Sequence, residues 1–181
     1  MLNEGEQLLR HIAVHEAGHL LACAVFNKNL ASDQSFIIQI DQNGLNINDV
    51  QASGHVSLDL SQYEKQEHFK EWLMINYLMG YRADLLINGT ANEALFENDK
   101  KCWNKCAAEN KMNSLEQNQT LFKQHTKIAD DFINANQNFI KNVANLLIKK
   151  QTLVYKDVES LLSQIKFTCE FPLSTEVVPH V

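Results

Sequence analysis

Leu8-Leu9-Arg10-His11-Ile12-Ala13-Val14-His15-Glu16-Ala17-Gly18-His19-Leu20-Leu21-Ala22-Cys23-Ala24-Val25-Phe26 is the most informative stretch of the chain. Leu8, Ile12, His15, His19, Ala22 and Phe26 recur at helical spacing, which predicts a helix from about Glu4 to Phe26. Within it, His15-Glu16-Ala17-Gly18-His19 has the form His-Glu-x-x-His. Residues four apart share one helical face, so both imidazoles can reach a single ion while Glu16 faces a water held by it. Glycine inside a helix costs roughly 1 kcal/mol relative to alanine, so Gly18 implies that something approaches closely there. The bland alternative is a buried face carrying two hydrogen-bonded histidines.

Working outward, Asn27 to Asp33 reads as a loop and Phe36 to Asp41 as a strand. Asn43-Gly44 is a strong hairpin-turn signal, since both residues accept positive φ. A second strand is expected within Val50 to Leu60, around His55 and Val56. Gln62 to Ile87 reads as a second helix with Asn88-Gly89 at its C-cap. A loop over Thr90 to Glu97 should lead to Asn98-Asp99 and a third helix. Leu121 to Leu147 forms one long amphipathic pattern, broken at Thr152-Leu153 and followed by a short helix around Val158 to Ile165. The expected fold class is α+β, mainly helical with a small sheet, as a single domain over 1–181 whose tail from 171 is partly irregular.

Composition narrows the function. The 181 residues carry a net charge of −6, 2 prolines and 6 glycines. The acidic balance leaves no basic footprint for nucleic acid or anionic lipid. The longest nearly apolar run, Leu20 to Phe26, is too short to span a bilayer, and no export signal is visible near Met1. A soluble, cytoplasmic protein is therefore expected, with Cys23, Cys102, Cys106 and Cys169 as reduced thiols. Cys102 and Cys106 stand four apart and read either as core residues or as metal co-ligands.

Two histidines do not complete a catalytic zinc site, which needs a third protein ligand and an open position. Asp84, Glu93, Glu97 and Asp99 are the candidates, and spacing alone does not choose among them. His11 lies one turn before His15 but drifts round the helix, so it is read as a supporting or surface residue.

The motif followed by Leu20-Leu21-Ala22 resembles the peptidase domain of the FtsH family, membrane-tethered AAA+ zinc proteases. Leu78 through Gly89 is similar to the family's Leu-Gly-Gly-Arg-Ala-Ala-Glu-Glu helix. Asn98-Asp99 falls at its Ser-Asn-Asp, whose aspartate is the third zinc ligand. Val143 through Leu153 resembles its closing helix, so the likeness runs from about residue 8 to 165. Two departures stand out: Ala94-Leu95-Phe96-Glu97 replaces Thr-Gly-Ala-Ser, keeping Glu97 a rival ligand, and Asp84 replaces a glutamate. No Gly-x-x-x-x-Gly-Lys-[Ser/Thr] phosphate loop and no membrane helix occur in the 181 residues.

The resemblance implies a zincin-like fold and a zinc metalloendopeptidase independent of ATP in this chain. His15, His19 and Asp99 would hold Zn²⁺, and Glu16 would activate the zinc-bound water that attacks peptide bonds of unfolded or flexible polypeptides. It also allows a homo-oligomer or a separate ATPase partner. The strand Phe36 to Asp41 is read either as an edge that accepts a substrate peptide or as a strand paired within its own sheet. His55 is read as an aid to an oxyanion or as a surface residue. The alternative function is a catalytically silent metal-binding or regulatory module on the same scaffold.

Overall fold

Every residue from Ile12 to Val25 is buried, so this part of the first helix is enclosed on all sides rather than along one stripe. The computed structural model describes residues 3–26, 37–41, 53–57, 64, 68–109 and 115–167. The expected loop at 27–33, the Asn43-Gly44 turn, Cys169 and the tail from 171 lie outside them. The elements are α1 (Glu4–Phe26), β1 (Ile37–Asp41), β2 (Ser53–Ser57), α2 (Phe69–Asn88), α3 (Glu93–Glu109), α4 (Leu115–Ala135), α5 (Gln137–Lys150), β3 (Thr152–Val154) and α6 (Tyr155–Leu162). The chain is thus mainly helical with a small antiparallel sheet. No helix among the described residues is long and apolar enough to cross a membrane.

A reciprocal cap starts α1: the Glu6 N–H donates to Asn3 Oδ1 at 2.8 Å, and the Asn3 N–H donates to Glu6 Oε2 at 2.9 Å. From there α1 runs antiparallel to α2 in a regular ladder. His11 meets Asp84, His15 faces Gly80, His19 meets Asn76, and the Trp72 indole N–H donates to the Ala22 carbonyl. Each rung advances one helical turn on both helices. Gly18 permits the close crossing, since a Cβ there would lie 2.5 Å from the Met79 carbonyl oxygen and 2.8 Å from Ala83 Cβ. The approach inferred from that glycine is therefore the α1–α2 contact itself.

The opposite face of α2 builds a second core, where Met74 and Leu78 pack with Phe96, Trp103 and Ala107 of α3. An Arg82–Asp130 fork with contacts of 2.6 and 2.7 Å ties α2 to α4. Gly89, at φ 79, closes α2 as foreseen, its N–H donating to the Leu85 carbonyl.

The structure decides one open reading and corrects three expectations. Of the two readings of the strand at 36–41, pairing within its own sheet is the one observed: the sheet order is β2-β1-β3, so β1 is paired on both sides. Thr152-Leu153-Val154, read as a helix break, is that third strand, with Leu153 fully buried opposite Ile38. The long pattern through Leu147 is two helices that turn at Asn136. This buried amide donates to the Phe132 and Lys166 carbonyls and accepts the Lys166 N–H, binding the corner to the chain beyond α6. The third is the expected loop over Thr90 to Glu97, which is already helical from Glu93.

Two neighbouring core residues, Trp103 and His125, keep polar ring atoms without a partner among the described residues. His125 is 1% exposed beside Trp103, and neither ring nitrogen has a partner among the described residues. Burial holds the imidazole neutral, with its pKa pushed down to about 4. The unfolded chain thus binds the extra proton between about pH 6.5 and 4, and stability falls as pH drops through that window. His125→Phe is expected to raise the thermal midpoint and flatten this acid limb, by removal of an unmet polar group worth about 1–3 kcal/mol. An unchanged acid limb in thermal melts across that range would show that His125 is satisfied.

Candidate metal centre

α3 begins at Glu93, so Ala94 to Asp99 are helical rather than a presenting loop. The buried Asp84 carboxylate accepts the Asn92 N–H at 2.9 Å and the Asn88 side-chain amide at 2.8 Å, and contacts His11 Nδ1 at 2.8 Å. Asn92 Oδ1 in turn accepts the Ala94 N–H at 3.1 Å. These bonds fix where α3 starts relative to the two helices of the ladder. Helical geometry then decides between the rival ligands. Residues two apart point roughly 200° away from each other, so Glu97 and Asp99 cannot both face α1. Asp99 does; Glu97 points outward, its side chain 73% exposed and 3.7 Å from Lys101.

The Asp99 Oδ2 atom lies 3.1 Å from His15 Nε2 and 3.2 Å from His19 Nε2, and the two nitrogens are 3.0 Å apart. His15, His19 and Asp99 can therefore hold a metal ion, and they are the only such group of His, Cys, Asp and Glu among the described residues. Two observations test the fit. Protons directed from both imidazoles at Asp99 leave the two facing nitrogens without one between them, a contact that a shared cation resolves. A tetrahedral ion with bonds of about 2.0–2.1 Å sets its ligands about 3.4 Å apart, close to the edges of this triangle. Gly80 backs the triangle: a Cβ there would lie 2.6 Å from both Nε2 atoms.

Without an ion, the electrostatics describe a proton holding its place. Burial opposes charge on His19, but the Asp99 hydrogen bond and charge outweigh it, and with Glu16 and Asn76 they push its pKa up to about 9. Burial likewise opposes ionisation of Asp99, yet hydrogen bonds from His15 and His19 hold its carboxyl well below the usual range. The His19–Asp99 ion pair thus stabilises the metal-free fold above the ordinary carboxylate pKa and is lost as pH rises through about 9.

Glu16 is 5% exposed, and burial raises its carboxyl pKa against the opposing pull of His19 and His15. β2 passes directly over it. A Cβ at Gly54 would lie 2.5 Å from Glu16 Cγ and 2.6 Å from Oε1, so only glycine leaves the carboxylate its seat. Glu16, both histidines and Asp99 open onto one cleft of about 400 Å³, walled by Gly54, His55 and Val56 on one side and by Ala94, Leu95 and Asn98 on the other.

No family model matches the chain, and no curated protein matches it.

The sequence-derived residues fall into two groups. His15, Glu16, His19 and Asp99 converge on the cleft. Asp84 and Glu93 do not join them: Asp84 serves the α1–α2–α3 junction, and Glu93 accepts a hydrogen bond from Tyr81. Cys23, Cys102 and Cys106 are free thiols, and Cys106 packs on the second core. His55 is exposed, pairs with Gln39 in the sheet and borders the cleft, close enough for its charge to act on Glu16. Asn76, Gly80 and Gly54 were missed. The only sequence signal for the first two was a polar and a small residue four apart, interrupting the apolar α2 pattern.

Proposed function

We propose that this chain is a zinc-dependent metalloendopeptidase with the zincin-like fold of FtsH-type peptidase domains, acting on unfolded or flexible polypeptides. The observation that carries the reading is the burial of Glu16 beside the His15–His19–Asp99 triangle in one cleft. Two imidazoles and a carboxylate suit zinc and ferrous iron alike. A glutamate seated next to them, itself outside the ligand set, favours hydrolysis.

Zinc, when bound to these three donors, supplies a Lewis acid that acidifies water and polarises the scissile carbonyl. The remaining work belongs to the chain. Glu16 takes a proton from the attacking water and returns it to the leaving amine nitrogen. The carboxyl must hold that proton between the two transfers. Gly54 keeps the carboxylate under β2 and away from bulk water. His15, His19 and Asp99 present their donor atoms on one side of the cleft.

The sheet supports a polypeptide substrate. β2 pairs with β1 alone among the described strands and forms one wall of the cleft. An extended peptide can add to such an edge through main-chain hydrogen bonds, which recognise any sequence lacking its own fold. The substrate edge is accordingly assigned to β2 rather than to β1.

The test is turnover of an unstructured polypeptide by purified protein. Cleavage abolished by a chelator and restored by zinc is expected, with a stably folded substrate resisting. Stoichiometric zinc without cleavage of a broad peptide library would instead support the silent binding module.

A further inference from the structure

The ligand face of His19 is explained by the triangle; its other nitrogen is not. His19 Nδ1 lies 3.2 Å from Asn76 Oδ1, the rung of the α1–α2 ladder next to Gly80. Asn76 is half-buried in the cleft wall. We infer that Asn76 is a positioning residue for the metal centre: its side-chain carbonyl accepts the Nδ1–H of His19, keeping the Nε2 lone pair turned toward the ion. The inference rests on the metal-site reading and extends it to the affinity of the site.

A neutral imidazole carries one proton, and the atom bonded to one nitrogen decides which nitrogen is free to ligate. An acceptor at Nδ1 therefore selects the ligating tautomer and fixes the ring plane. His19 requires such a fixture, because its ring contacts His15 edge-on with centroids 4.7 Å apart and must not rotate into it. The nature of the acceptor matters as well. Metal-bound histidines commonly donate to a carboxylate, which raises their basicity. A neutral amide orients the ring without that gain, so this centre holds its ion less tightly than the same triangle backed by an aspartate.

The experiment measures zinc affinity by competition with a chromogenic chelator for wild type, Asn76→Leu and Asn76→Asp, with Asn76→Ala in reserve if the leucine variant misfolds. Zinc binding is expected to weaken by about 10–100-fold in Asn76→Leu and to reach or exceed wild type in Asn76→Asp. Nitrogen-15 spectra of zinc-loaded wild type should show a protonated Nδ1 on His19. Thermal midpoints of the metal-free proteins separate this role from packing, since a packing residue would shift the midpoint and leave affinity alone. Equal affinity in wild type and the leucine variant overturns the inference, as does equal weakening in the leucine and aspartate variants. Absence of zinc binding by wild type would overturn the metal-site reading itself, and the inference with it.

Discussion

Glu16→Gln is expected to retain a full equivalent of zinc and to lose about 10²–10⁴-fold in peptide hydrolysis. Glutamine keeps the volume and the seat beneath Gly54, where the side chain is packed within a few ångströms of β2. It cannot accept the water proton or carry it to the leaving nitrogen, and general acid–base assistance is worth a factor of that size. Because Glu16 is not among the three converging donors, metal content should not change. The measurement is zinc stoichiometry together with kcat/KM on one unstructured peptide. Loss of zinc in the variant would make Glu16 a ligand rather than a base, and unchanged turnover would remove it from the chemistry.

Gly80→Ala is expected to lower zinc affinity by about 10–100-fold without unfolding the chain. Alanine is the better helix former by up to about 1 kcal/mol, so α2 gains locally. The cost falls on the site, where the new methyl sits 2.6 Å from both donor nitrogens and 2.7 Å from His15 Cε1. No carbon tolerates that separation, and the ends of the two imidazoles must swing out of the triangle with Asp99. Chelator competition and thermal melts on the same samples read both effects. Glu97→Ala, at an exposed site off the triangle, should match wild type in both. Wild-type zinc affinity in Gly80→Ala would mean that the rings do not meet where the structure has them.

Much of this arrangement was legible in the sequence because it is local. The four-residue repeat puts His15 and His19 on one face whatever surrounds them, and Asn88-Gly89 ends a helix through backbone preferences alone. The third ligand is different in kind. Asp99 is chosen by the phase of α3, and that phase is set by Asp84 holding the Asn92 N–H, a contact between positions eight apart that no periodicity encodes. The third strand was hidden for a similar reason. Thr152 to Val154 spans only three residues, too few to register an alternation, and becomes a strand because β1 offers it a pairing edge. With β3 in place β1 becomes the central strand and β2 and β3 the outer ones, so the choice between an edge and an internal strand at 36–41 turned on a pairing partner more than a hundred residues away. The glycines were half legible: Gly18 announced a close approach, but what approached depended on α2.

The central claim is that one ion is shared by His15, His19 and Asp99. Anomalous scattering at the zinc edge, from crystals grown with one equivalent of zinc, tests it most directly. A single strong peak bounded by His15 Nε2, His19 Nε2 and Asp99 Oδ2, with Glu16 beside it and outside bonding distance, is the predicted result. No peak there, with the three side chains turned apart in excess zinc, would contradict the account.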